Sequence, residues 1–414
     1  MKNHSKKIVE LLPWTFQEVH LKKDPGLFPK YISKEYDIPY EIAFLNLEPE
    51  NSYSKENIDS YGILKKIEAT HSGKSESIKS NILPNPFDDF KTWKILIKPI
   101  CKYLWKNRKS NTHYILFHNN DNTVAFAFLI KLFNSKAKIW LKMDANPSNL
   151  SRKLDDLYRK NGLKQKLKSA LYRKVYRNID MLSTETEETF AMLQNNSFFS
   201  KLNIQKIPNG LEALPNTNNL PKENCIISVA RFGSHQKNTE LLLEALSRTN
   251  LKDWKVYCIG PIEKAEQDFE SKIKLFFEVH PNLVDKIIFL GNITDKEQLN
   301  SYYKKAKVFV LPSRYEGFAI APLEAASYQD YLILTDVGAA RDLIPNETFG
   351  YILPESSQDK QNEDIIKEKL AQKLTSIING TEKIDSNLKA RDSFIQQFSM
   401  ENIAKRNCFK EWIL

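Results

Sequence analysis

Short apolar runs alternate with amphipathic stretches through the second half of this chain, a pattern that restricts it to a parallel sheet wrapped by helices. Cys225 to Val229, Trp254 to Ile259, Lys286 to Leu290, Lys307 to Leu311 and Tyr331 to Thr335 read as strands. Thr239 to Leu246 and the stretches around 263–279, 296–305 and 322–328 read as the helices between them. The order predicts a doubly wound α/β domain, whose ligands bind beyond the carboxyl ends of the strands. Chemistry is therefore expected after Val229, Ile259, Leu290 and Leu311.

The first half repeats the theme less clearly. Lys6 to Leu12, Tyr40 to Leu45, Tyr114 to His118, Lys138 to Lys142 and Met181 to Ser183 read as strand cores, so a second α/β domain is expected over 1–206. Pro, Asn and Gly concentrate in Ile207-Pro-Asn-Gly210 and again from Leu214 to Lys222, which predicts a linker over 207–222. The remainder divides into a domain over 223–390 and a C-terminal segment over 391–414. Asn51 to Lys79, rich in Ser and Lys, reads as a mobile loop.

At 414 residues the chain has room for two ordinary domains of about 150 residues each. Hydrophobic residues at 41% and charged residues at 27% supply two cores and give no case for disorder. The net charge of +10 favours an anionic partner: a phosphorylated ligand, a nucleic acid or an anionic membrane surface. No zinc finger, RRM signature or aromatic-basic interleaving occurs, so nucleic acid is not expected. The longest apolar run, Val124 to Ile130, is far short of the roughly 20 residues of a spanning helix. Lys2, Lys6 and Lys7 precede Ile8 and Val9, but Glu10 and Pro13 break the stretch before a secretory core forms, so a cytoplasmic location is expected. Cys101, Cys225, Cys258 and Cys408 lie far apart, without CxxC or zinc-like His spacing, and read as free thiols.

The densest chemistry lies between Leu311 and Ala326. Pro322 suits the first turn of a helix starting near Ala321, whose amino end forms an anion site beside the strand's carboxyl edge. Gly317 permits close backbone approach, and Glu316 and Glu324, seven intervening residues apart, flank that site as acceptors for sugar hydroxyls. Glu in a first turn and a Glu-Gly turn are also ordinary stabilising features. Arg231, Lys237 at the start of the next helix, and Asn238 as its cap follow another strand end, where two cations suit a diphosphate. Gly260-Pro261 and Gly291-Asn292-Ile293 repeat a turn at the same edge and suit a flat base.

Arg231…Lys237, Gly260-Pro261, Phe289-Leu-Gly291, Val310-Leu-Pro-Ser313, Glu316-Gly-Phe318…Glu324-Ala325 and Thr335-Asp-Val-Gly338 together resemble the carboxyl-half signature of the family-4 retaining glycosyltransferases. The resemblance is strong over 200–350 and implies the GT-B fold, two Rossmann-like doubly wound domains facing each other across a cleft. It implies that Arg231 and Lys237 bind the donor diphosphate and Glu324 the ribose hydroxyls. Glu316, Gly317 and Ile320, with the Phe318 and Ala319 backbone, would hold the donor sugar and phosphates, and Gly260, Asn292 and Ile293 would lie near the base.

In the first half, Lys22 to Leu27 resembles the family's first loop with Gly26 as its one remaining glycine, and Asp144 takes the place of the usual histidine among the catalytic groups. His118, Lys142 and Asn209 are candidate acceptor or sugar contacts, and His118 also reads as a satisfied core residue. Lys237-Asn238 replaces the common Lys-Gly, and Phe398-Ser-Met400 resembles the Phe-Ser-Trp ahead of a C-terminal helix that crosses back to the first domain.

The implied reaction is retaining hexosyl transfer from a UDP- or GDP-type sugar, a substrate rather than a cofactor, to a hydroxyl of a glycan, lipid-linked or protein-linked acceptor. Polysaccharide, lipopolysaccharide and glycoprotein assembly all fit. No Asp-x-Asp occurs, so metal independence is expected. A sugar-nucleotide epimerase of the same fold and a non-catalytic nucleotide-sugar-binding partner are the alternatives. Finally, residues 152–177 hold ten Lys or Arg against Asp155 and Asp156, over an apolar stripe of Leu163, Leu167, Leu171 and Val175. Either the stripe packs on its own domain, or the helix docks on an anionic membrane, peripheral at the inner face of the plasma membrane.

Overall fold

The computed structural model describes residues 6–14, 18–46, 64–68, 83, 85–158, 162–218, 220–263, 268–356, 359–384 and 388–414. The chain divides into two units, Met1–Glu212 with Ser399–Leu414, and Ala213–Phe398.

In the first unit β1 (Lys7–Leu12), β2 (Tyr40–Asn46), β3 (Leu64–Glu68), β4 (Thr112–Phe117), β5 (Lys138–Met143), β6 (Met181–Thr184) and β7 (Ile204–Lys206) form a seven-stranded sheet in the order β3-β2-β1-β4-β5-β6-β7. Every pairing is parallel, with Ile8 opposite Tyr40 on one side and His113 on the other. The strand order reverses between β1 and β4, so the crevice of this unit opens beyond Leu12 and Phe117. On one face Val9, Leu11, Tyr114 and Leu141 pack against Trp93, Tyr103, Phe126 and Tyr172 from the covering helices. On the other, Phe28 and the C-terminal Phe409 and Trp412 surround Trp140 with ring centroids 5.2, 5.1 and 6.0 Å away. The buried indole N–H of Trp140 donates to Ser183 Oγ at 2.8 Å, satisfying its one polar atom.

Three expectations change here. The stretch Asn51 to Lys79 contains β3, whose Leu64 to Glu68 pair with Ile42 to Asn46; the rest of it lies outside the described residues. Ile207-Pro-Asn-Gly210 is buried within the first unit instead of linking the two, and the division falls after Glu212. The C-terminal return begins at Ser399, not 391, because Arg391 is locked inside the second unit. Its guanidinium donates to the carbonyls of Thr348, Gln329 and Ile384.

The second unit carries β8 (Cys225–Val229), β9 (Lys255–Ile259), β10 (Ile287–Gly291), β11 (Val308–Leu311), β12 (Tyr331–Thr335) and β13 (Gly350–Leu353), ordered β10-β9-β8-β11-β12-β13. Ile226, Val256, Val308, Val310 and Ile333 form the sheet's share of the core, against Leu241, Leu242, Leu370 and Leu374. β13 is only four residues long and lacks a periodic signal of its own. The order reverses between β8 and β11, which puts the crevice beyond Val229 and Leu311.

No helix among the described residues is long and apolar enough to cross a membrane, and all four cysteines are free thiols.

Candidate active site

The loops after β8 and β11 meet at the second unit's switch point. After β8 the chain passes Arg231, makes a short 3-10 turn over His235–Lys237 and enters helix Thr239–Ser247. Asn238 stands at the helix entry with φ 50° and ψ 49°, and its side chain makes no cap bond; its Nδ2 donates instead to Glu363 Oε1 at 3.2 Å. Capping by Asn238 is therefore corrected to a left-handed hinge, a conformation that glycine adopts freely and Asn tolerates. This is the physical reason that Asn can stand where Lys-Gly is common.

After β11 the loop 312–319 leads into helix Ile320–Ser327, entered through Ala319 at φ 67° with no side-chain cap, so its first N–H groups face the crevice unpaired within the helix. Glu316 is buried at the base of this loop and binds the Lys237 ammonium through Oε1. Gln236 Nε2 donates to Glu316 Oε2 and to the Tyr315 carbonyl, each at 3.0 Å, while its Oε1 accepts from Arg231 at 3.2 Å. One amide thus links the two expected diphosphate ligands through the carboxylate between them. Arg231 keeps most of its side chain in solvent, 3.6 Å from Glu263.

Glu324 lies in the second turn of its helix, not the first, because the helix begins at Ile320. Its carboxylate binds Lys296 and accepts from Tyr303 Oη at 3.1 Å. Burial, reinforced by the Glu324 charge, pushes the Tyr303 phenol well above its ordinary range, so it stays a donor. The Phe318 side chain is core, set 6.3 Å from the Phe398 ring, which leaves only its backbone for the crevice. Gly317 and Ile320 frame that backbone. Gly260 N–H donates to the Gly291 carbonyl at 2.8 Å, binding the turns after β9 and β10 together, with Asn292 and Ile293 in the loop that follows. Gly338 closes the site from β12. A Cβ there would lie 2.4 Å from the Gly317 carbonyl oxygen and 2.7 Å from Glu316 Cβ, at φ 59°.

Sequence reasoning missed the framework behind these groups. Arg314 forms a two-pronged pair with Glu363 at 3.0 and 3.2 Å and donates to the His235 carbonyl at 2.8 Å. Glu363 also accepts from Ser356 and Asn238, so one carboxylate on helix Lys360–Ile378 holds both loops. Nothing local marks it, because Arg314 and Asn238 reach it from two distant segments.

The candidates of the first unit gather at the carboxyl end of its own sheet. His118 has φ 62°, lies half exposed with its ring 5.0 Å from Trp14, and places Nδ1 3.3 Å from Asp144 Oδ2. It is not a core residue. The bond from His118 holds the Asp144 carboxyl below its ordinary range. Lys142 departs from its expected role as a sugar contact: it is fully buried, with Nζ bonded to Asp24 at 2.7 Å, Asn209 at 2.6 Å and Glu185. All three ammonium protons are used, so Lys142 and Asn209 brace each other. Burial works against that charge, and Asp24 and Glu185 outweigh it, raising the Lys142 pKa. Gly26 lies in the first turn of helix Asp24–Tyr36 instead of a loop, where a Cβ would meet Leu21 Cα at 2.4 Å. Among the described residues no group of three or more His, Cys, Asp or Glu is placed to hold a metal.

Residues 212–382, nearly the whole second unit, match the family model described as glycosyl transferases group 1. Among curated relatives, the lipopolysaccharide core biosynthesis mannosyltransferase LpcC of Rhizobium leguminosarum bv. viciae is 31% identical over 124 residues, 30% of this chain and 34% of the relative. The capsular polysaccharide biosynthesis glycosyltransferase CapM of Staphylococcus aureus is 26% identical over 150 residues, 36% of this chain and 37% of the relative. The chain thus spans about a third of the length of these curated relatives.

Solved structures match along the whole chain. The lipopolysaccharide outer core galactosyltransferase WaaB superposes with a TM-score of 0.66 at 16% identity, covering 98% of this chain and 99% of that one. The pneumococcal O-GlcNAc transferase GtfA, solved with UDP and GlcNAc, gives 0.67 at 13% identity, covering 99% of both. At these identities the likeness is one of fold, and the fold is GT-B.

Proposed function

We propose that this chain is a retaining, metal-independent hexosyltransferase that moves a sugar from a nucleoside diphosphate, of UDP or GDP type, to a glycan hydroxyl in cell-surface polysaccharide, lipopolysaccharide or glycoprotein assembly. The observation that carries the reading is the Lys237–Glu316 pair, tied to Arg231 through Gln236 at the uncapped start of helix Ile320–Ser327. Two cations and free backbone N–H groups converge there on the position of a leaving diphosphate. Glu324, oriented by Tyr303, is the acceptor for ribose hydroxyls, and Glu316 with the Phe318–Ala319 backbone holds the donor sugar. Names of relatives in lipopolysaccharide and capsule synthesis favour glycan acceptors.

In the reaction, the bond from the anomeric carbon to the diphosphate oxygen breaks as an acceptor oxygen bonds to the same face. The acceptor's proton passes to the departing diphosphate. Arg231, Lys237 and the helix amino end stabilise the charge that develops on the leaving group, so no metal is required. His118 and Asp144 are the sugar-facing groups of the first unit, Asp144 holding the imidazole at 3.3 Å. Both glycan and lipid-linked acceptors fit, and the cationic helix Leu163–Tyr176 favours a peripheral station at the inner face of the plasma membrane.

The test is calorimetric titration with UDP, GDP, ADP, CMP and dTDP, repeated with Glu324→Ala and Lys237→Ala. One diphosphate should bind selectively and be lost in both variants; no binding by any of them removes the reading. Transfer assays with the matching sugar should proceed in EDTA and give product of unchanged anomeric configuration by NMR.

A further inference from the structure

We propose that the outer side of the first unit, built jointly by helices Phe90–Leu96, Lys98–Lys106, Asp121–Phe133 and Leu163–Tyr176, is a docking surface for an anionic phospholipid bilayer. Trp105, Phe128, Leu132 and Leu167 enter its headgroup boundary. This extends the peripheral station read from the last helix alone to a surface in which an apolar centre, not charge only, makes the contact.

The stripe Leu163, Leu167, Leu171, Val175 does not pack on its own domain as a unit. Exposure falls along it from 76% through 64% and 36% to 4%. Each four-residue step turns about 40° beyond a full helical turn, so only the last side chain winds under to the core. Three leucines are left in water.

The helix Asp121–Phe133 points the same way. It buries Val124, Phe126, Ala127 and Ile130 in the core, yet its outward residues Phe128 and Leu132 are apolar too. From Val124 to Phe133 only Lys131 is polar, and a helix apolar on both its inner and outer sides is ordinarily covered on both. Beside it the exposed Trp105 sets its ring edge-on to Phe133 at 6.1 Å, and Arg108 lies 4.0 Å from the Trp105 ring centroid. An indole carrying a cation belongs at a boundary between apolar and charged surroundings.

Charge identifies the occupant. Residues 90–109 hold seven Lys or Arg and no acid, and residues 162–177 hold six and no acid. The acidic Asp121 of the middle helix is engaged by Lys168 at 2.9 Å, Asn85 and Tyr172. With only Asp88 and Asp89 at the entry to helix Phe90–Leu96 and the engaged Asp121 among its acids, the rim stays strongly cationic and complements anionic headgroups around an apolar centre. A second copy of this chain would bring the same cations against themselves, which disfavours self-association through this face.

The test uses the full chain and sedimentation with vesicles of phosphatidylcholine alone or in equal parts with phosphatidylglycerol. Binding is expected to the mixed vesicles only and to weaken with salt. Trp105→Ala with Leu132→Asp, both at exposed positions, should weaken it at least tenfold. Lys102→Glu with Lys106→Glu should weaken it by more than the roughly fivefold that each lost cation is worth. The exposed Leu275→Asp of the second unit should leave it unchanged, and circular dichroism should report the same fold throughout. No binding to mixed vesicles at low salt overturns both this surface and the single-helix reading. If Lys166→Glu with Lys174→Glu abolishes binding while Trp105→Ala with Leu132→Asp leaves it intact, the single helix stands and the joint surface falls. A dimer in solution that Leu132→Asp dissociates would also overturn it, in favour of a second copy.

Discussion

The Lys237 ammonium rests on Oε1 of Glu316, and the Gln236 amide holds the other carboxylate oxygen at 3.0 Å, so the loops after β8 and β11 are joined by one charge pair. In the proposed reaction, the donor diphosphate at the helix amino end would compete with Glu316 for the lysine. Lys237→Ala is expected to lower kcat/KM by at least about 100-fold, the scale for losing one preorganised donor to developing charge. Unfolding in urea should show that Lys237→Ala remains folded, which separates loss of the cation from loss of the site.

Asn238 and Glu363 yield a second expectation. With φ at 50°, Asn238 occupies a conformation that costs most side chains about 1–2 kcal/mol. Asn238→Ala should therefore lose about that much in urea denaturation, together with the bond to Glu363. Asn238→Gly should lose less, since it keeps the backbone at ease and forfeits only the bond.

The third concerns Gly338. A methyl group there meets the Gly317 carbonyl oxygen and Glu316 Cβ, both backed by the loop that enters helix Ile320–Ser327. Gly338→Ala should displace Glu316 and weaken nucleoside diphosphate binding by about tenfold or more, since an off-position ligand of even 1 Å is costly. Calorimetry reads the change directly, and an unaltered affinity would show that the loop yields without cost.

A pH dependence follows from Asp330. It is fully buried, with one carboxylate oxygen bonded to Lys222 at 2.5 Å and the other without a partner. Burial pushes its pKa up from 3.8 to about 7, with Lys222 offsetting part of the rise. A carboxyl raised on folding stabilises the native state at low pH, and this contribution is lost as pH climbs from about 4 through 7. Denaturation midpoints should fall across that window, and Asp330→Asn should flatten the slope.

How far local pattern reaches is plain from particular residues. The runs at Cys225–Val229 and Tyr331–Thr335 carry enough β-branched and aromatic side chains to be read directly. β3 and β13 are short, lie at sheet edges and have little pattern of their own; their partners β2 and β12 make them strands. Among the candidate residues, Arg231, Lys237 and Glu316 draw attention in the sequence because they follow strand ends, where a doubly wound sheet has to place its ligands. Glu363 was not, since a glutamate in the first turn of a long helix is ordinary until Arg314 and Asn238 are brought to it.

The alternation of apolar runs and amphipathic stretches therefore decides the architecture, because burying both faces of a parallel sheet leaves a chain of this pattern few other folds. Contacts between segments far apart in the chain decide the rest. Lys142 becomes a buried brace and not a sugar contact because Asp24, Glu185 and Asn209, from 24 to 209 in the chain, converge on its one ammonium. Leu163 and Leu167 remain exposed because a stripe of period four drifts around a helix of 3.6 residues per turn, and only the assembled core shows how much of it is covered.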